Sequence, residues 1–182
     1  DVAFLKNLVN IQVYKEMLVM NTQKVILILI TLLIPLLSSA VTTVQSVDLN
    51  RYLGKWYQFA YYPNSFQPKD CGLTVAEYTL DKKGKILVKN TCFEDAAGKK
   101  VKKQATGKAY PIDRSNSKLK VSFFFPFKGD YWIVKLADDY RYSVVSDSKK
   151  KYLWILTRSK ELSKTDYHEI MDFLRKGGWD AN

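Results

Sequence analysis

Gly54-Lys55-Trp56-Tyr57-Gln58-Phe59-Ala60-Tyr61-Tyr62, answered near the far end of the chain by Tyr152-Leu153-Trp154-Ile155-Leu156-Thr157-Arg158, decides how the sequence folds. Both stretches are short and rich in aromatic and β-branched residues, the composition of strands. From Leu53 onward such runs recur every 10–14 residues, separated by clusters of Gly, Pro, Asn, Asp and Lys. The spacing predicts strands over 54–62, 73–80, 85–93, 102–111, 117–124, 130–137, 141–147 and 152–158. All the connections are short, so neighbours are antiparallel hairpins. A meander of eight strands can close on itself and so remove its exposed edges.

Beyond Arg158 the period changes. Ser163 with Asp166 three residues on forms an N-terminal capping pattern, which Leu162 and Tyr167 can staple. Tyr167, Ile170, Met171 and Leu174 follow at helical spacing as one apolar stripe. Gly177-Gly178 then stops the helix. The stripe needs a surface to cover, and the outside of a barrel provides one. The expected fold is therefore all-β: an eight-stranded antiparallel up-and-down barrel with a C-terminal α-helix packed outside.

Val25 to Leu37 reads VILILITLLIPLL, preceded by Lys24 and followed by Ser38-Ser39-Ala40. A basic start, a short apolar stretch and a small-residue exit describe a secretory signal peptide. The rival reading is a membrane anchor. A spanning helix needs about 20 apolar residues, which this run reaches only by taking in Ser38, Ser39, Thr42 and Thr43. The expected organisation is an upstream leader and signal peptide over 1–40 and one folded domain over 41–182. Export places the chain in the periplasm, at the outer membrane or outside the cell.

Composition narrows the function. Hydrophobic residues at 47% and aromatics at 14% are enough to fill a core and line a cavity, and 26% charged residues argue against disorder. Net charge is +11. Residues 1–40 hold three of the 29 basic residues (Lys6, Lys15, Lys24) and two of the 18 acidic ones (Asp1, Glu16), which leaves +10 on 41–182. The basicity thus belongs to the folded domain and points to anionic partners. His168 is the only histidine, which removes histidine-rich metal sites and mechanisms needing two imidazoles. The sequence holds no nucleophile elbow, phosphate loop or dinucleotide fingerprint. Asp138-Asp139 reads as a turn. No enzyme activity, metal or cofactor is expected.

Cys71 and Cys92 are the two cysteines. In an oxidising compartment they are expected to be bonded. If Leu80 faces Lys85 across the Asp81-Lys82-Lys83-Gly84 turn, position 71 falls within two residues of the position opposite 92. A link between them is then within reach.

The chain resembles the lipocalins. Gly54-Lys55-Trp56-Tyr57, after Asp48-Leu49-Asn50-Arg51-Tyr52-Leu53, looks like their G-x-W signature, and Tyr152 to Arg158 looks like their last strand with its closing arginine. Asp138-Asp139-Tyr140-Arg141-Tyr142-Ser143-Val144-Val145 resembles the middle motif in divergent form. Leu119-Lys120-Val121-Ser122-Phe123-Phe124 with Pro126-Phe127 is similar to the bacterial outer-membrane branch, with apolipoprotein D-like lipocalins more distant. The resemblance spans about residues 47–180. It implies that Gly54, Trp56 and Arg158 build a closed barrel base, with the guanidinium across the indole face, and that the interior carries a small lipophilic ligand. Bacterial members often carry a lipid-modified cysteine at the mature N-terminus, and no cysteine lies near Ala40 here.

Parity assigns the interior. If Trp56 points in, so do Gln58 and Ala60. If Arg158 does, so do Leu156 and Trp154. Ala76 and Tyr78 are the inward pair of the second strand; Ile86, Val88 and Asn90 face in on the third. Leu119, Val121 and Phe123 face in on the fifth, and Trp132 on the sixth. The expected cavity is Gln58, Ala60, Ala76, Tyr78, Val88, Asn90, Val121, Phe123, Trp132 and Trp154. Small residues at Ala60, Ala76, Gly107 and Ala109 favour empty volume.

The connections 63–72, 94–101, 125–129 and 148–151 fall at the open end. They place Phe66, Phe125, Phe127 and Lys128 at the mouth, among Lys69, Lys99, Lys100, Lys149, Lys150 and Lys151. An aromatic rim with ammonium groups fits an amphiphile with an anionic head, a fatty acid or lysophospholipid. It also allows an anionic membrane surface as partner, for a monomer or weak homodimer. The competing reading is a basic β-barrel without lipid cargo that binds other surfaces or nucleic acid. Export weighs against nucleic acid.

Overall fold

The structure, a computed structural model, describes residues 15–22, 24 and 40–181. The chain divides into two units, Asp1–Ser39 and Ala40–Asn182. In the first, residues 15–22 are helical and the Thr22 hydroxyl donates to the carbonyls of Leu18 and Val19. The apolar run 25–37 and the Ser38-Ser39 exit lie outside the described residues, as does the leader before residue 15.

The second unit is a closed barrel of eight antiparallel strands, each paired with its neighbours in sequence and β1 with β8. The strands are β1 (Gly54–Tyr61), β2 (Leu73–Leu80), β3 (Ile86–Phe93), β4 (Val101–Pro111), β5 (Lys118–Phe124), β6 (Phe127–Leu136), β7 (Tyr142–Ser146) and β8 (Leu153–Thr157). A one-turn helix α1 (Leu49–Tyr52) precedes β1, and α2 (Lys164–Lys176) follows β8.

Local chemistry sets the corners. At the β2–β3 turn the Asp81 carboxylate accepts from the amides of Lys83 and Lys85 (2.8 and 2.9 Å), and Gly84 takes φ +72°, a left-handed conformation that a side chain disfavours. Leu80 faces Ile86, one residue beyond the expected register. Cys71 and Cys92 are joined by a disulfide, with their Cα atoms 5.4 Å apart. At α2 the Ser163 hydroxyl accepts from the Asp166 amide (3.1 Å) and donates to its carboxylate.

Two apolar clusters hold the unit together. Inside the barrel, Trp56, Tyr78, Ile86, Val88, Leu119 and Ile133 are among the buried residues, with Tyr52 of α1 and Val47 closing the base. Outside, Ile170 and Leu174 of α2 pack with Val134, Tyr142, Val144 and Ile155. All five residues of β7 are therefore buried, since α2 covers the face that would otherwise meet water. Tyr167, expected on the helix stripe, is instead exposed beside His168.

Candidate ligand site

The base of the barrel is a stopper. Trp56 is fully buried, and its indole N–H donates to the Tyr52 carbonyl at 2.8 Å. Arg158 lies over the indole ring and donates to the carbonyls of Lys55 (2.9 Å) and Arg51 (2.6 Å). Gly54 sits at φ +92°; a Cβ there would reach to 3.5 Å of the guanidinium.

Above the stopper runs a chain of buried hydroxyls. Tyr52 and Tyr131 are 2.9 Å apart, Tyr131 and Tyr78 2.8 Å, and Tyr52 and Ser143 3.0 Å. Burial disfavours the phenolate, so it pushes Tyr52 up to about 12 and raises Tyr78 and Tyr131 as well. Beside them is a narrow apolar pocket lined by Leu49, Leu53, Ile86, Ala109, Leu119 and the three tyrosines, among others. It leaves about 10 Å³ in which the centre of a water molecule could sit, roughly what one water requires. The lower half of the barrel is thus packed.

The upper half is different. On β1 Trp56 is buried while Gln58 is partly accessible; on β3 Val88 is buried and Asn90 partly accessible. The same step runs from Leu119 to Val121 and Phe123 on β5, and from Leu156 to Trp154 on β8. In each case the change runs from the closed end toward the open end. The inner wall therefore grades from buried at the base to partly accessible toward the open end. The Asn90 side-chain oxygen is buried without a hydrogen-bond partner among the described residues, since its neighbours across the sheet are Ala76 and Ala105.

The β1–β2 loop reaches into this throat. The Asn64 side-chain oxygen accepts from the Gln67 amide at 2.9 Å, a turn that directs Gln67 inward. The Gln67 side chain donates to the Gln58 oxygen at 2.6 Å and accepts from the Trp154 indole at 3.2 Å. Phe66 stands edge-on to Tyr152 and tilted against Trp154, with ring centres 5.4 and 6.3 Å apart. The disulfide ties the end of this loop to β3.

Several expected site residues take other places. Ala60 lies in the outer cluster beneath α2, because a bulge between Gln58 and Ala60 sets it opposite outward-facing Ile155. Trp132 is also outside, with the Lys118 ammonium 4.8 Å above its ring; Tyr131 faces the interior instead. Lys128 and Asp130, four and two positions before Trp132, share its parity and are the local signal for an outward face. Tyr78 faces in, but its hydroxyl is engaged by Tyr131. Lys128 lies over Tyr110 on the outer wall, 5.2 Å from the ring centre. Phe125 and Phe127 are exposed at the β5–β6 turn. Gly107 does not leave a void: a Cβ there would meet Phe123 at 2.8 Å, so the missing side chain makes room for that ring. Gln58, Ala76, Val88, Asn90, Val121, Phe123 and Trp154 remain together on the inner wall. Gln67, Tyr52 and Tyr131 were missed, and Asn64 before Gln67 was the one local signal for the first of them.

Residues 47–182 match the family model described as a lipocalin-like domain. The outer membrane lipoprotein Blc of Vibrio cholerae is 35% identical over 145 residues, covering 79% of this chain and 83% of that one. Temperature-induced lipocalin-1 of Arabidopsis thaliana is 32% identical over 148 residues, 76% of this chain and 77% of that one. Among solved structures, the cockroach allergen Per a 4 superposes with a TM-score of 0.58 at 19% identity, covering 74% of this chain and 83% of its own.

Proposed function

The chain belongs to the lipocalin family, and from that membership we propose that it binds a single-chain amphiphile, a fatty acid or lysophospholipid, in the upper half of its barrel. Members of the family are in general binding and transport proteins for small hydrophobic ligands, and the reading includes no catalysis. The observation that carries it is the graded accessibility of the inner wall: buried side chains at the floor, partly accessible ones from Gln58, Asn90, Val121 and Trp154 upward. The apolar tail lies against Val88, Val121, Phe123 and Trp154, whose burial supplies most of the affinity. The Asn90 oxygen accepts a hydroxyl or amide proton. The anionic head lies at the rim, near Lys69, Lys99 and Lys149. Because the floor is filled, the tail enters only part of the barrel unless side chains move.

The segment before the domain is proposed to direct export, with cleavage after Ala40 and anchoring through 25–37 as the alternative. The name of the Blc relatives, outer membrane lipoproteins, supports export.

Displacement of a fluorescent fatty acid by oleate and by a lysophospholipid tests the binding reading. Saturable binding at micromolar ligand, weakened by Val121→Arg with the fold intact by circular dichroism, is expected. Absence of saturable binding, or full binding by Val121→Arg, overturns it.

A further inference from the structure

The open end of the barrel bears an aromatic tip that the fold does not use. Phe124, Phe125 and Phe127, around the β5–β6 turn, are 76%, 92% and 77% exposed and belong to neither apolar cluster. Phe66 and Val101, on the neighbouring open-end segments, are also more than half exposed. Exposed apolar clusters of this kind mark interaction surfaces.

Charge identifies the partner. The acidic groups at this end are already engaged. Glu94 pairs with Lys100, Asp70 with Lys102 and Asp130 with Lys120. Asp95 and Asp147 accept from backbone amides of their own turns. Lys69, Lys99, Lys103 and Lys149 stand among them as additional ammonium groups. The tip is a convex hairpin end, so its complement must yield around it. A phospholipid bilayer yields, accepts aromatic rings at the acyl boundary, and attracts lysines when its headgroups are anionic.

We propose that the open end docks on an anionic phospholipid bilayer, with Phe124, Phe125 and Phe127 in the headgroup–acyl boundary and the lysines at the headgroups. Docking aims the barrel mouth at the membrane. The inference goes beyond the ligand reading and stands whether or not the barrel carries cargo.

The test uses the full chain with a tryptophan reporter at the tip, Phe125→Trp, and a control at the opposite end, Ile112→Trp, where the native side chain is also exposed. Vesicles of phosphatidylcholine and phosphatidylglycerol with brominated acyl chains quench only indoles that enter the boundary. Emission of Phe125→Trp is expected to shift to the blue and be quenched on these vesicles, and far less on phosphatidylcholine alone. Ile112→Trp should behave like the parent chain. The reporter reads the tip itself, so attachment through residues 25–37 would leave its emission unchanged. Phe124→Ser with Phe127→Ser should weaken tip docking by about tenfold or more, and Lys103→Glu or Lys149→Glu by about fivefold each. An unquenched tip reporter, or equal quenching of both reporters, overturns the proposal. So does self-association lost in the double serine variant without any vesicle response, which would assign the tip to a second copy of the chain.

Discussion

The guanidinium carbon of Arg158 lies 3.8 Å from the centre of the Trp56 ring system, although the two residues stand at opposite ends of the barrel sequence. Closure of β8 onto β1 brings them together, and the forked hydrogen bonds of Arg158 to Lys55 and Arg51 hold the guanidinium flat on the indole. Trp56→Ala is expected to cost about 3–5 kcal/mol in urea denaturation. A double-mutant cycle with Trp56→Leu and Arg158→Ala should return a coupling of about 0.5–2 kcal/mol. Additive effects would show that the stacked geometry contributes nothing.

Tyr131 joins the hydroxyls of Tyr52 and Tyr78. Tyr131→Phe leaves Tyr78 without that partner and should cost about 1–3 kcal/mol. Burial has the opposite consequence in alkali. Unfolded tyrosine ionises near pH 10, whereas burial holds Tyr52 at about 12 and also raises Tyr78 and Tyr131. The folded chain therefore keeps protons that the unfolded chain releases, so the tyrosines' contribution to stability is level below pH 10 and falls above it. Phenolate absorbance should show these three tyrosines ionising together with unfolding; ionisation of all tyrosines in the intact barrel would contradict their burial.

Asp166 anchors the start of α2 to the β6–β7 turn. Its carboxylate accepts from Arg141 at 2.6 and 3.0 Å and from the Ser163 hydroxyl at 2.8 Å. These hydrogen bonds, with Arg141 foremost, hold its pKa below the usual value. The stabilisation is present at neutral pH and lost as acid protonates the folded carboxylate. Asp166→Asn should lower stability by about 1–3 kcal/mol at pH 7. The gap from the parent should shrink below the ordinary aspartate pKa. Melting temperatures across that range check the sign.

Gln67 closes the throat through Gln58 and Trp154. Gln67→Ala should cost about 1 kcal/mol or less in stability while accelerating both entry and exit of a fluorescent fatty acid in stopped-flow measurements. Unchanged rates would show that the β1–β2 loop does not limit passage.

The disulfide closes a loop with a sequence separation of 21. Replacing both Cys71 and Cys92 by serine should cost about 3 kcal/mol in the chain-entropy view, read as a lower urea midpoint. The Gln67 turn should also become more open to proteolysis, because its downstream end is released.

Strands, hairpin turns and helix caps were legible because each depends on neighbours in sequence. Alternation of side chains, turn residues such as Asp81 and Gly84, and the Ser163 cap act within a few positions. The inner wall was legible only as far as strict alternation holds. It fails at Ala60 because β1 bulges against β8, and the bulge depends on how two distant strands meet. At Trp132 the expectation differs from the structure by one step of alternation, since Tyr131 and Ile133 take the inner face of β6.

The amino-acid order alone determined that this chain makes a meander of short antiparallel strands able to close on itself, since period-two patterning and short turns leave few other ways to bury the same residues; the arginine-backed tryptophan at its base followed from the likeness of Gly54-Lys55-Trp56 and Arg158 to the lipocalin motifs. Only the tertiary structure decided which side chains fill the base of the barrel. Free volume depends on which rings cross the interior at the same height, and Phe123 against Gly107, or three tyrosines sharing one floor, come from strands whose relative stagger no local pattern encodes.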